Sequence, residues 1–99
     1  MKNLNSLQRS YLKAQAHHLE PVIHIGKNGL TDGTIHSISK ALSSKELIKV
    51  KFREYKDDKQ KIAAKIETET LSHIVGIIGH TLILFKRILE SDKQKYQLP

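Results

Sequence analysis

From Glu46 to Arg53 the chain alternates, with Ile48, Val50 and Phe52 facing one way and Lys49, Lys51 and Arg53 the other. A period of two over this length is a strand with one buried face. Such a strand needs neighbours, and the flanking segments state what they are. In and beside a first segment of about Asn5 to His18, the apolar positions Leu4, Leu7, Tyr11, Leu12, Ala16 and Leu19 recur at three- and four-residue intervals. That is an amphipathic helix, with Asn5 and Gln8 spaced as a capping box, Arg9 and Lys13 on its opposite face, and Pro21 to stop it. Val22-Ile23-His24-Ile25 reads as a short β-branched strand, after which Gly26-Lys27-Asn28-Gly29 turns the chain. Thr31 or Asp32 then caps a second helix, whose inner stripe is Ile35, Ile38, Ala41 and Leu42.

Beyond the alternating strand, Asp57 or Asp58 is placed to cap a third helix with Ile62, Ala63, Ile66 and Thr70 inside. The runs His73 to Ile78 and Thr81 to Arg87 are joined by Gly79-His80, a Gly-X pair that predicts a type II′ hairpin. The order is α-β-α-β-α-β-β. Strands separated by helices need crossovers, so the first three should run the same way and the last should reverse. The expected fold is a two-layer α/β domain with a four-stranded mixed sheet. Ninety-nine residues suffice for a single domain over 1–99, and no linker or repeat divides them. Residues 90–99 have no period and are expected to be a loosely ordered tail.

Composition excludes several classes of function. Without cysteine there is no disulfide scaffold, thiolate zinc site or thiol nucleophile. No apolar run approaches the roughly 18 residues of a membrane span, and the polar first 16 residues lack a signal-peptide core. A cytoplasmic protein with no membrane partner is expected, and one small core favours a monomer. His17 and His18 are adjacent and cannot converge on one ion from a helix; no HExxH or HxxxH spacing occurs, so no metal is expected. His24 reads as a packed or edge histidine, and His80 as a structural donor or a contact to a ligand. Asp57-Asp58 is explained by capping, and Ser43 and Ser44 have no activating partner. No reacting constellation assembles, so the chain reads as a non-enzyme with no cofactor and no small-molecule substrate.

Charge is the positive signal. Seventeen Lys and Arg against ten Asp and Glu give +7, and between Lys40 and Lys65 nine Lys or Arg face four acids. An excess of this kind on a small domain points to a polyanion, most often nucleic acid. The sharpest local feature is Gly26-Lys27-Asn28-Gly29, a strand-to-helix turn whose N–H groups and the helix's positive end can meet a phosphate. Lys27 adds charge and Asn28 a donor. It lacks the G-x-x-x-x-G-K-[ST] spacing of a nucleotide P-loop and the second glycine of the dinucleotide fingerprint; a plain tight turn is the competing reading. The row Lys49, Lys51 and Arg53 is either a solvated sheet face or a binding surface. Of the aromatics Tyr11, Phe52, Tyr55, Phe85 and Tyr96, two occupy core-like strand positions, which argues against a base-stacking platform.

Four blocks together carry a resemblance. They are Gln8-Arg9-x-Tyr11-Leu12-Lys13-Ala14-x-Ala16-His17-x-Leu19-x-Pro21-Val22; Ile25-Gly26-Lys27-x-Gly29-Leu30-Thr31-Asp32; Glu46 to Phe52; and Ile78 to Arg87. Over nearly the whole chain it resembles the YhbY family, the stand-alone bacterial form of the CRM (chloroplast RNA splicing and ribosome maturation) domain. The resemblance implies a fold similar to the C-terminal domain of initiation factor three and RNA binding through the GxxG loop. It also implies association with precursors of the large ribosomal subunit during assembly. Gly33, one turn into the second helix, departs from a helix former and is expected to loosen that end. The RNA-binding residues expected are Gly26, Lys27, Asn28 and Gly29, with Arg9, Lys13, Lys49, Lys51, Arg53, Lys86 and Arg87 as secondary contacts to large-subunit rRNA. The rival reading is a protein-interaction module that docks on a ribosomal protein or an assembly GTPase through acidic side chains.

Overall fold

Local chemistry sets where each helix begins. In the computed structural model, which describes residues 3–99, the first helix α1 spans Ser6–Ala16. Its capping box is complete: Asn5 Oδ1 accepts from the Gln8 N–H at 2.8 Å, and Gln8 Oε1 from the Asn5 N–H at 3.1 Å. Strand β1 is Ile23–Ile25, and helix α2 (Asp32–Ser44) starts behind Thr31, whose hydroxyl accepts from the Thr34 N–H at 3.1 Å. The alternating segment is β2, Leu47–Phe52.

Helix α3, Lys59–Thr70, begins differently from expectation. A 3₁₀ turn over Lys56–Asp58 runs straight into it, and neither Asp57 nor Asp58 makes a capping bond. Asp58 sits at φ −105°, ψ 13°, already coiled. An N-cap side chain reaches its target N–H groups from an extended residue, and here the chain has no extended residue to offer.

Strands β3 (His73–Ile78) and β4 (Thr81–Phe85) form the expected hairpin, with Ile78 opposite Thr81 and positive φ at Gly79 but not at His80, as a type II′ turn requires. The sheet order is β1-β2-β4-β3, with β1 parallel to β2 and β4 antiparallel to both its neighbours. The first three strands therefore run one way and the last reverses, as the connections demand.

Alternation along β2 and β4 creates two cores. Ile48, Val50, Phe52, Leu82 and Leu84 meet Ile38 and Leu42 of α2 and Ala63 and Ile66 of α3. Leu47, Ile83 and Phe85 point to the other face, where Leu12 and Ala16 of α1 cover them. The α2/α3 layer and the sheet are the two layers expected; α1 adds cover to part of the second face. The far side of β2 is thus neither open nor fully buried.

The C-terminal segment corrects the expectation of a loose tail. Glu46, only 2% exposed, accepts from the backbone N–H groups of Ile88 (2.9 Å), Lys95 (2.8 Å) and Tyr96 (3.3 Å). Tyr96 is buried beside α1, and Gln8 Nε2 donates to the Pro99 carbonyl at 3.3 Å. A buried carboxylate left unsatisfied is costly, so the strand and the tail share it. No helix among the described residues is long and apolar enough to cross a membrane.

Candidate functional site

Three connections meet at one end of the sheet. The Ile25 carbonyl accepts from the N–H groups of Arg53 (2.9 Å) and Glu54 (3.1 Å), and the Phe52 N–H donates to the His80 carbonyl at 2.8 Å. These bonds place loop 26–29, the segment after β2 and the hairpin turn side by side.

In loop 26–29 the Gly29 N–H donates to the Gly26 carbonyl at 3.0 Å, closing a turn that leaves Lys27 and Asn28 exposed. Gly29 has φ +66°, where an L side chain is strained. Tyr55 stands behind the turn. Its hydroxyl donates to the Lys27 carbonyl at 2.7 Å, and a Cβ on Gly29 would lie 3.3 Å from its ring. Tyr55 itself holds φ +57° without being glycine, a conformation that costs on the order of 1 kcal/mol or more. It buttresses the loop, and sequence reasoning missed it because nothing local links positions 27 and 55. The start of α2 contributes less than expected: Thr31 already occupies the Thr34 N–H, and Asp32 brings a negative charge into the first turn. Lys27, Asn28 and the turn's own N–H groups are what the loop offers an anion.

Beside the loop, a groove of about 640 Å³ opens between α1 and the second face of the sheet. Lys13 and His17 come from α1, His24 from β1, Lys49 and Lys51 from β2, and Arg53 from the segment after it; Glu20 is the one acid in the lining. Arg53 Nε donates to His24 Nδ1 at 3.1 Å, tying the groove to the strand that leads into loop 26–29. Lys49 Nζ donates to the Leu19 carbonyl at 3.0 Å and fastens the segment after α1 to the floor. Gly76 gives Lys13 room, since a Cβ there would come within 2.7 Å of Lys13 Cε.

A third cluster extends the charge. Lys59 Nζ donates to the Gly79 carbonyl and lies 3.1 Å from His80 Nδ1. Partial desolvation, then the positive charges of Lys59, Lys56 and Lys51, hold the His80 imidazole below its usual range against the opposing pull of Asp57.

The secondary contacts named from sequence therefore divide. Lys13, Lys49, Lys51 and Arg53 share the groove. Arg9, Lys86 and Arg87 do not line it, and the structure does not bring them together with the other four. Arg9 Nη1 donates to the Leu4 carbonyl at 2.6 Å and Lys86 Nζ to the Thr70 carbonyl at 3.0 Å. Arg87 pairs with Glu46 at 3.0 Å, donates to the Tyr96 carbonyl at 2.7 Å and stacks over Phe85. Among the described residues, no group of three or more His, Asp or Glu is arranged to hold a metal ion.

The family model of the CRS1/YhbY (CRM) domain matches residues 4–86. The chain belongs to this family. A Haemophilus influenzae protein named as an RNA-binding protein is 43% identical over 100 residues, spanning 100% of this chain and 98% of its own length. A Bacillus subtilis protein named as a probable RNA-binding protein, YqeI, is 35% identical over 97% of this chain and 99% of its own. The solution structure of a hypothetical Staphylococcus aureus protein superposes with a TM-score of 0.81 at 32% identity, covering 97% of this chain and 99% of that one. In this CRM domain the buttressed loop and the basic groove are thus neighbours at one end of a shared fold.

Proposed function

We propose that this CRM domain binds RNA, and that its target is the large-subunit rRNA of ribosomes under assembly. The observation that supports RNA binding is an exposed Lys27-Asn28 turn directly after β1, the strand whose His24 lines a groove that gathers Lys13, Lys49, Lys51 and Arg53. Phosphate contacts of this type give affinity and position, while base identity is read through contacts to base edges. The site presents cations and turn N–H groups, with no nucleophile–base pair, so we read its role as binding and not catalysis. The homologues named as RNA-binding proteins support the same reading.

Lys27→Ala combined with Asn28→Ala tests it. Loss of one phosphate contact removes about 0.7 from the log–log salt slope and about fivefold in affinity near 0.1 M salt. Because both side chains are exposed, the melting temperature is expected to stay unchanged. A variant that melts normally and binds structured rRNA as tightly as wild type overturns the loop assignment. Crosslinking in cells followed by sequencing of the bound RNA tests the ribosomal part; a scatter over the transcriptome rejects it.

His80 supplies an independent readout. Its lowered pKa reflects partial desolvation and the cations around it, and an approaching phosphate favours the imidazolium. An NMR pH titration is expected to show the His80 midpoint moving upward when RNA is bound. An unchanged midpoint places the hairpin turn outside the contact surface.

A further inference from the structure

The geometry points to a single-stranded RNA segment, and not a duplex, as what the groove between α1 and the sheet takes; this rests on the RNA-binding reading above. Lys49 and Lys51 are two residues apart on β2, so their Cα atoms are spaced about 6.6 Å apart along the strand direction, and Arg53 follows just past the strand's end. That repeat is close to the separation of successive phosphates along one extended strand. Lys13 faces the row from α1, held over Gly76. Both walls of the groove therefore carry charge.

Shape decides between one strand and two. Lys49 and Lys51 are only partly exposed, and Lys49 lies against the Leu19 carbonyl in the segment after α1. To reach them a ligand must lie between α1 and the hairpin. A volume of about 640 Å³ is that of a small-molecule site, with room for roughly two nucleotides and none for a double helix. Among the polar residues of the lining, the half-buried Leu19 and Pro21 and the 58%-exposed Ile78 present apolar surface. These surfaces take the faces of splayed bases without reading their edges. The Arg53–His24 bond joins the groove to β1, and β1 runs into loop 26–29. A strand gripped at Lys27 is thereby led toward Lys51 and Lys13.

The test is fluorescence anisotropy with a labelled RNA of about 10 nucleotides, offered as a single strand and as a blunt duplex of equal length. Wild type is compared with Lys13→Ala/Lys51→Ala, Lys51→Arg and Lys27→Ala/Asn28→Ala, each shown to be folded by its melting curve. Wild type is expected to prefer the single strand. The Lys13→Ala/Lys51→Ala protein should lose about 25-fold for the single strand near 0.1 M salt, with the slope reduced by about 1.4. Its duplex affinity should change little, and Lys51→Arg should bind the single strand like wild type. Equal preference for duplex, or equal losses for both RNAs, overturns the inference. If the groove variant binds as wild type does while the loop variant is weakened, the groove assignment falls and the RNA-binding reading stands. If wild type binds neither RNA at low salt, both fall.

Discussion

Replacing Glu46 with alanine is expected to lower the stability of this domain by about 3–5 kcal/mol, the loss seen when one partner of a buried ion pair is removed. The carboxylate takes the Arg87 guanidinium at 3.0 Å and three backbone N–H groups, from Ile88, Lys95 and Tyr96. Alanine would leave those donors without acceptors beside a mostly buried guanidinium, and the segment that brings Tyr96 against α1 would lose its anchor. For a domain of this length the melting temperature should fall by more than about 12 °C. A fall of only one or two degrees would show that the tail is not held this way. RNA affinity, measured below the melting point, should be nearly unaltered, because Glu46 lines neither the loop nor the groove.

The same residue makes the fold sensitive to acid. Burial pushes the Glu46 carboxyl up, but the Ile88, Lys95 and Tyr96 N–H groups and the Arg87 charge together pull it further down, leaving it below the usual range. A carboxyl with a lowered folded pKa contributes stability that is complete above its unfolded pKa. That contribution is lost as pH falls through the lower, folded value. Wild type should therefore lose stability in acid more steeply than Glu46→Gln, which carries no charge at that position; parallel acid limbs in denaturant titrations would contradict this.

Raising salt from about 0.05 M to 0.2 M is expected to weaken RNA binding by roughly 100-fold. This follows if about five of Lys13, Lys27, Lys49, Lys51, Arg53, Lys56 and Lys59 each neutralise one phosphate, at a slope of about −0.7 per contact on a single strand. Binding titrations across that range give the slope directly. A slope near zero would mean that contacts other than phosphate carry the affinity, and the basic groove would lose its role.

Much of this was legible in the residues. Helix starts at Asn5 and Thr31, the alternating strand, the Gly79-His80 turn and the direction of each strand follow from chemistry within a few residues of each position. The start of α3 is not legible in this way, because an acid before a helix looks the same in sequence whether the chain enters it extended or coiled. The basic candidates could be counted but not sorted. Lys49, Lys51, Arg53, Lys86 and Arg87 are alike as letters, yet the first three line the groove while Lys86 is bonded to Thr70 and Arg87 to Glu46.

Periodicity, turns and net charge, all local or additive properties, were enough to predict a mixed α/β sheet and a GxxG turn between strand and helix, and to point to a polyanion as partner. Tertiary structure alone decided that α1 lies over the second face and walls a groove, that Tyr55 props the turn, and that Glu46 captures the chain's end. The reason is physical: those contacts join residues 28 to 50 positions apart, and which partners meet depends on how the cores pack, information that no short window of sequence contains.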